Sequence, residues 1–191
     1  MKEHLFTAIR TTLVLLVIVS GVYPAAVWAI GQIAFRHEAN GSLIMRDGRV
    51  VGSSLIGQSF TSDRYFRSRP SAVNYDASAS GASNLGPTSR KLRDRIAPAF
   101  IGGARTPDMP VDAYTTSASG LDPHISPEFA RLQVARVAQA RRLDETRLRV
   151  LVEQHVERRF LGVYGQPRVN VLLLNLALDD MMKRDAPPRS R

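Results

Sequence analysis

Between Arg10 and Arg36 the chain carries no charge, and Thr11 to Phe35 is dominated by apolar residues. At about 1.5 Å per residue, a helix of that length reaches the ~30 Å hydrocarbon thickness of a bilayer with a margin for tilt. Leu13 to Val19 is continuously apolar, and a helix satisfies its own backbone polar groups, as lipid demands. Tyr23 and Trp28 are amphipathic aromatics suited to a membrane interface, and Pro24 predicts a kink. A cleaved signal peptide, with a small-residue site at Ala29-Ile30-Gly31, is the alternative. Signal cores run roughly 7 to 15 residues, however, and this one is longer. The pattern therefore predicts a polar tail over 1–10 and a retained transmembrane helix over 11–35.

After the span the pattern shortens. Leu43-Ile44-Met45-Arg46, Asp47-Gly48 and Arg49-Val50-Val51 predict a β-hairpin, because both central residues of a type I′ turn need φ > 0. Leu55 to Phe60 extends the same sheet in this reading. Ser71 to Ser89 is rich in Ser, Ala, Gly and Asn and predicts a long irregular segment, followed by a short helix over Arg90 to Phe100 and a second loop from Gly102 to Pro127. Ser126-Pro127-Glu128 is a helix start with a cap, a first-position proline and a favourable charge, and that helix is expected to run to about Arg142. Asp144 caps another, through Phe160, with Leu148, Leu151, Val152, His155 and Val156 on one face. Gly162 to Pro167 breaks it, and the dense run Val169 to Leu174 reads as a central strand. The tail from Lys183 is charged and Pro-rich, and fraying is expected. Short strands, then helices, then a late strand define the fold class: a single N-terminal transmembrane helix followed by one α+β domain over 36–182, with a tail over 183–191.

Composition narrows the function. The chain has no cysteine, so thiolate zinc sites, disulfides and thiol nucleophiles are excluded. Net charge is +9 with arginine dominant, but the arginines are dispersed and no nucleic-acid module is recognisable. A solubilising surface is the simpler reading, with no nucleic acid as partner. Lys2 and Arg10 precede the span while Arg36, Arg46 and Arg49 follow it, and charge does not orient a long translocated domain. Ser42 and Ser190 are expected to be exposed and suited to a topology probe.

Three candidate chemistries fail on spacing. Gly81 to Gly86 has the glycines of a phosphate-cradling loop, but Pro87 stands where the lysine must be. The same stretch lacks the second glycine of a nucleophile elbow, since Leu85 stands there. His4, His37, His124 and His155 form no metal-binding spacing. Asp122-Pro123-His124 reads instead as turn chemistry: Gly120 for backbone freedom, Asp122 for local N–H groups, Pro123 and Pro127 to fix φ, and Ser126 to cap. From the residues alone the chain is a membrane-anchored, non-enzymatic domain. An anchored extracytoplasmic binding module for a small solute or envelope polymer is the other reading.

Several stretches in order carry a resemblance. They are Val22-Tyr23-Pro24, Asn40-Gly41-Ser42-Leu43-Ile44, Gly52 to Gln58, Tyr65-Phe66-Arg67-Ser68-Arg69-Pro70-Ser71-Ala72, Ser83 to Pro87, Ser119 to Pro127 and Gly165 to Leu172. Together they closely resemble the C subunit of the Kdp-type potassium-transporting ATPase, from the anchor to about Asp179. The chain departs from the family's pattern at Ala82 and Ala118, where glycine is common; alanine would be strained there if φ were positive.

The resemblance implies an accessory subunit of a high-affinity, ATP-driven potassium uptake pump in the cell inner membrane, single-pass, with its soluble domain extracytoplasmic. Implied partners are a channel-like potassium-binding subunit, a P-type ATPase subunit and membrane lipid. Implied roles are assembly and action as a catalytic chaperone that raises the ATPase subunit's affinity for ATP. No cofactor is bound tightly on this reading, and ATP enters only through the complex with the ATPase subunit. Structural and partner-docking candidates are Gly21, Tyr23 and Pro24 in the anchor, then Tyr65, Arg69, Pro70, Asn84, Gly120, Asp122, His124, Arg168 and Asn170.

Overall fold

The structure, a computed structural model, describes residues 2–96 and 109–185. It divides into two compact units, Met1–Val51 and Gly52–Arg191. The first is built on one continuous helical rod, Lys2–Ala34, long and apolar enough to cross a membrane and with none of its most apolar window buried. Helix α1 spans Lys2–Val17, so the polar residues expected as a tail are wound into the rod. A π-turn follows at Ile18–Val22, closed by Tyr23 N–H donating to Ile18 O, and α2 runs Tyr23–Ala34. Pro24 lacks an N–H and its ring crowds the carbonyl four residues back. The widened turn directly before it is where the helix absorbs that misfit.

Beyond the short helix α3, Arg36–Ala39, strands β1, Leu43–Arg46, and β2, Arg49–Ser53, pair as a hairpin. Asp47 and Gly48 have φ of 50° and 75°, the two positive values the turn was expected to need. Ser42 differs from expectation: it is only 5% exposed, with φ 49°. Leu55 to Phe60 does not extend the sheet. It runs irregularly because Gly57 N–H donates to Leu121 O at 2.7 Å, which ties it to a distant loop.

The core of the second unit lies among α5, Pro127–Arg141, α6, Glu145–Gln154, α7, Val171–Asp185, and a three-stranded antiparallel sheet. The strands are β3, His124–Ile125, β4, Val156–Glu157, and β5, Arg168–Asn170, in the order β3-β5-β4. Ile125 and Val156 both register with Val169. Val134, Val137, Leu148, Val152, Leu174 and Leu178 are fully buried, each worth about 1.5–3 kcal/mol relative to exposure. Helix α4, Arg90–Ile96, agrees with the start of its prediction; the rest of that prediction, 97–100, lies outside the described residues.

Two sequence expectations fail here, for one reason. Helix α6 was expected through Phe160 but stops at Gln154, and His155 caps it rather than lying on its apolar face. Val169–Leu174 was expected as a strand, but β5 ends at Asn170 and α7 begins. The Asn170 side chain accepts from Leu173 N at 3.2 Å, as a helix cap does, and Val171, Leu174 and Leu178 bury a helical stripe. The sheet took only Val169 and Asn170 of that run, together with Arg168 before it, and it drew Val156–Glu157 out of the preceding helix to pair with Val169 and Arg168. Helix α7 also continues past Lys183 to Asp185, where fraying was expected; 186–191 lie outside the described residues.

Candidate functional site

Residues 64–68 form a strap beside α5 and α7, the end of a turn running into irregular chain outside any sheet, so most of its backbone groups need side-chain partners. Gln133 of α5 accepts from Arg67 N at 2.7 Å and donates to Arg67 O at 3.1 Å. Asn175 of α7 accepts from Phe66 N and donates to Phe66 O, both at 2.9 Å. Arg141 Nε donates to Arg64 O at 2.6 Å, and Arg136 Nη2 to Tyr65 O at 3.1 Å. Arg141 also forms an ion pair with Asp179 at 2.8 Å and places its guanidinium 4.6 Å from the centre of the Tyr65 ring. Tyr65 OH donates to the same Asp179 at 3.2 Å. The strap is thus held almost atom by atom.

It delivers Arg69 to Asp122. Arg69 Nη1 lies 3.3 Å from Asp122 Oδ2, and Arg69 Nη2 donates to Thr116 O at 3.3 Å. The other Asp122 oxygen accepts from His124 N at 3.0 Å and lies 3.2 Å from His124 Nδ1. Burial opposes ionisation of Asp122, but the hydrogen bonds from His124 and the charges of His124 and Arg69 outweigh it and hold the carboxyl below its usual range. Ser126 caps α5 as expected, accepting from Phe129 N at 3.0 Å. It is itself held by Asp112, which accepts from Ser126 N at 2.6 Å and from Ser126 Oγ at 2.9 Å.

These residues line an open cleft of about 420 Å³ whose walls include Arg69, Asp112, Asp122, His124, Ser126 and Arg168. The 71–89 segment closes against the later loop that leads into β3. Ser71 Oγ donates to Gly120 O at 2.6 Å, Gly81 N donates to Ser119 O at 2.9 Å, and Tyr75 OH donates to Arg69 O at 2.6 Å. Gly120 has φ 70°, and a Cβ there would lie 2.8 Å from Gly81 O. Ala82 and Ala118 are not among the positive-φ residues, so neither carries the strain a replaced glycine would imply.

Of the candidates named from sequence, Arg69, Asp122, His124 and Arg168 share this cleft, although Arg168 pairs across the sheet with Glu157 at 2.8 Å. Pro70 follows Arg69, half-buried, and Gly120 lies beneath the loop. Tyr65 belongs to the strap. Asn170 donates to Ser54 O at 2.8 Å while capping α7. Asn84 is exposed with φ 51°. Gly21, Tyr23 and Pro24 lie on the rod, where Tyr23 is 64% exposed and nothing approaches a Cβ at Gly21 within 4 Å. Sequence reasoning missed Asp112, Gln133, Arg141 and Asn175. Gln133 and Asn175 left a signal, since each interrupts an apolar helical stripe, between Ala130 and Val137 and between Val171 and Leu178. Asp112 and Arg141 left none.

The fold defines a class: among the described residues, one long apolar helix and a small α+β domain in which Gln133, Asn175, Arg69 and Ser71 hold its own loops. The family model described as K+-transporting ATPase, c chain (KdpC), matches residues 5–180. The chain is 48% identical over 192 residues to the potassium-transporting ATPase KdpC subunit of Koribacter versatilis, covering 98% of this chain and 100% of that protein. It is 51% identical over 197 residues to that of Gemmatimonas aurantiaca, covering 100% and 99%. To that of Myxococcus xanthus it is 54% identical over 187 residues, covering 94% and 89%. The chain belongs to the KdpC family.

Proposed function

We propose that the chain is a non-catalytic accessory subunit of a potassium-transporting ATPase, supporting assembly and raising the affinity of the ATP-hydrolysing subunit for ATP. Its partners on this reading are that P-type ATPase subunit and a channel-like potassium-binding subunit. The rod crosses the cytoplasmic membrane and the α+β domain lies on the extracytoplasmic side. The family match over 5–180 carries the reading, and the chemistry of the cleft supports it. Asp122 is ion-paired with Arg69 and hydrogen-bonded by His124, and the Ser126 hydroxyl is held as a helix cap, which suits a docking body better than a reaction centre. An effect on cytoplasmic ATP from the far side of the membrane is then a coupling free energy between distant sites, not contact with nucleotide.

The test uses the tagged full chain co-expressed with the other subunits. Purification in mild detergent should recover two larger membrane proteins, and the complex lacking this chain should need more ATP for half-maximal hydrolysis. A cysteine at exposed Ala79 should react with an impermeant maleimide in intact cells; Ser42 is buried and unsuited to this. A chain purified alone as a monodisperse monomer would favour the anchored binding module, for which a 420 Å³ cleft is of suitable size. Labelling only after lysis would reverse the topology and reopen direct contact with nucleotide.

A further inference from the structure

The hairpin between β4 and β5 presents four large apolar side chains to water. Phe160 is 71% exposed, Leu161 76%, Val163 70% and Tyr164 67%. The hairpin is nevertheless ordered: Phe160 N donates to Tyr164 O at 2.9 Å, Tyr164 N to Phe160 O at 3.0 Å, and Gly162 N to Arg159 O at 3.1 Å. It grows from strands paired in register, Glu157 opposite Arg168. Gly162, with φ 74°, suits its place at the tip, but Leu161 also has φ 51°. That conformation favours glycine, asparagine or aspartate. Leucine at 161 is therefore disfavoured twice, by backbone geometry and by hydration, and a side chain this exposed recovers little of either within the domain. Arg158 and Arg159 stand exposed at the base, and among the described residues neither guanidinium meets a carboxylate.

We propose that residues 158–164 are a docking knob for a second protein, another subunit of the transporter that presents a concave apolar surface rimmed by carboxylates. This rests on the reading of the chain as a transporter subunit. Tyrosine, phenylalanine and arginine are residue types enriched at the centres of protein interfaces, and a guanidinium fork matches a carboxylate rim. A turn shaped by its own backbone hydrogen bonds favours a protein over lipid as the occupant. A protein pocket rewards a pre-set shape by sparing the cost of ordering it on binding, whereas a fluid headgroup layer has no shape to match.

The experiment places photoreactive benzoylphenylalanine at position 163 in the full chain, co-expressed with the other subunits and irradiated in membranes, with position 79 as control. A covalent adduct with another transporter subunit from 163 and not from 79 is expected. Adducts with phospholipid alone, or none, overturn the knob. Leu161→Asn supplies a second measurement, because it suits the backbone and removes only the apolar contact. Its thermal midpoint should equal or exceed wild type, while its affinity for the complex falls about thirtyfold, the scale of an interface hot spot. Recovery of the complex at wild-type level by Leu161→Asn overturns the knob alone. Failure of the wild-type chain to recover any larger subunit overturns the underlying reading instead.

Discussion

Replacing Asn175 with alanine tests whether side chains, and not a sheet, hold the strap. Asn175 is 2% exposed and Phe66, whose backbone N–H and C=O it serves, is fully buried. Leaving a buried backbone group without a partner costs about 1–3 kcal/mol, so two such groups set a range of roughly 2–6 kcal/mol. The truncated carboxamide leaves polar space into which a water can move and restore one bond, which places the expected loss near 3 kcal/mol. For a domain of this size that is about 6–12 °C in thermal midpoint, and a large share of a total stability of about 5–15 kcal/mol. The assay is urea unfolding of the full chain in detergent, followed by the near-UV circular dichroism of its tyrosines, because the anchor helix dominates the far-UV signal. Native-state hydrogen exchange at the Phe66 amide reports the same event locally. A variant that loses less than about 0.5 kcal/mol and keeps that amide protected would refute the claim that the carboxamide holds the strap.

Local chemistry was readable from sequence wherever a few adjacent residues decide the outcome. The Asp47-Gly48 turn, the Ser126 cap with Pro127 behind it, and the Asp144 cap, which accepts from Arg147 N at 2.9 Å, all stand as their residue types require. What could not be read was set by distant partners. Whether Val169 to Leu174 became strand or helix depended on Asn170 capping α7 and on Val156 being available to pair with Val169. The same β-branched run serves either outcome until those partners are known. The grouping of Arg69 with Asp122 and His124 was equally hidden, since it depends on a strap fixed by helices that follow much later in the chain. Side chains standing in for a missing strand leave only one trace, a polar residue in an apolar helical stripe, and Gln133 and Asn175 are that trace.

Three further predictions concern the loop and the anchor. Gly120→Ala should cost at least about 1–2 kcal/mol from its φ of 70° alone, with more from the approach to Gly81 O, and should expose the Gly81 amide to exchange; an unchanged melting temperature would count against the close packing of these loops. Gly21→Leu, on an open face of the π-turn, should weaken recovery of the other transporter subunits in detergent while leaving the tyrosine dichroism of the α+β domain intact; unaltered stoichiometry would remove this face from helix packing. Acid should act through Asp122, whose folded pKa lies below its unfolded value of about 3.9. Such a group contributes stability that is present above the unfolded value and is lost as pH falls through the folded one. Asp122→Asn removes that contribution at every pH, so the stability gap between wild type and variant, about 1 kcal/mol for a pair this accessible to water, should be present at pH 5 and narrow below about pH 4. A gap that widens on acidification would mean that Asp122 is stabilised in its neutral form, and that Arg69 and His124 do not hold the carboxylate as the geometry indicates.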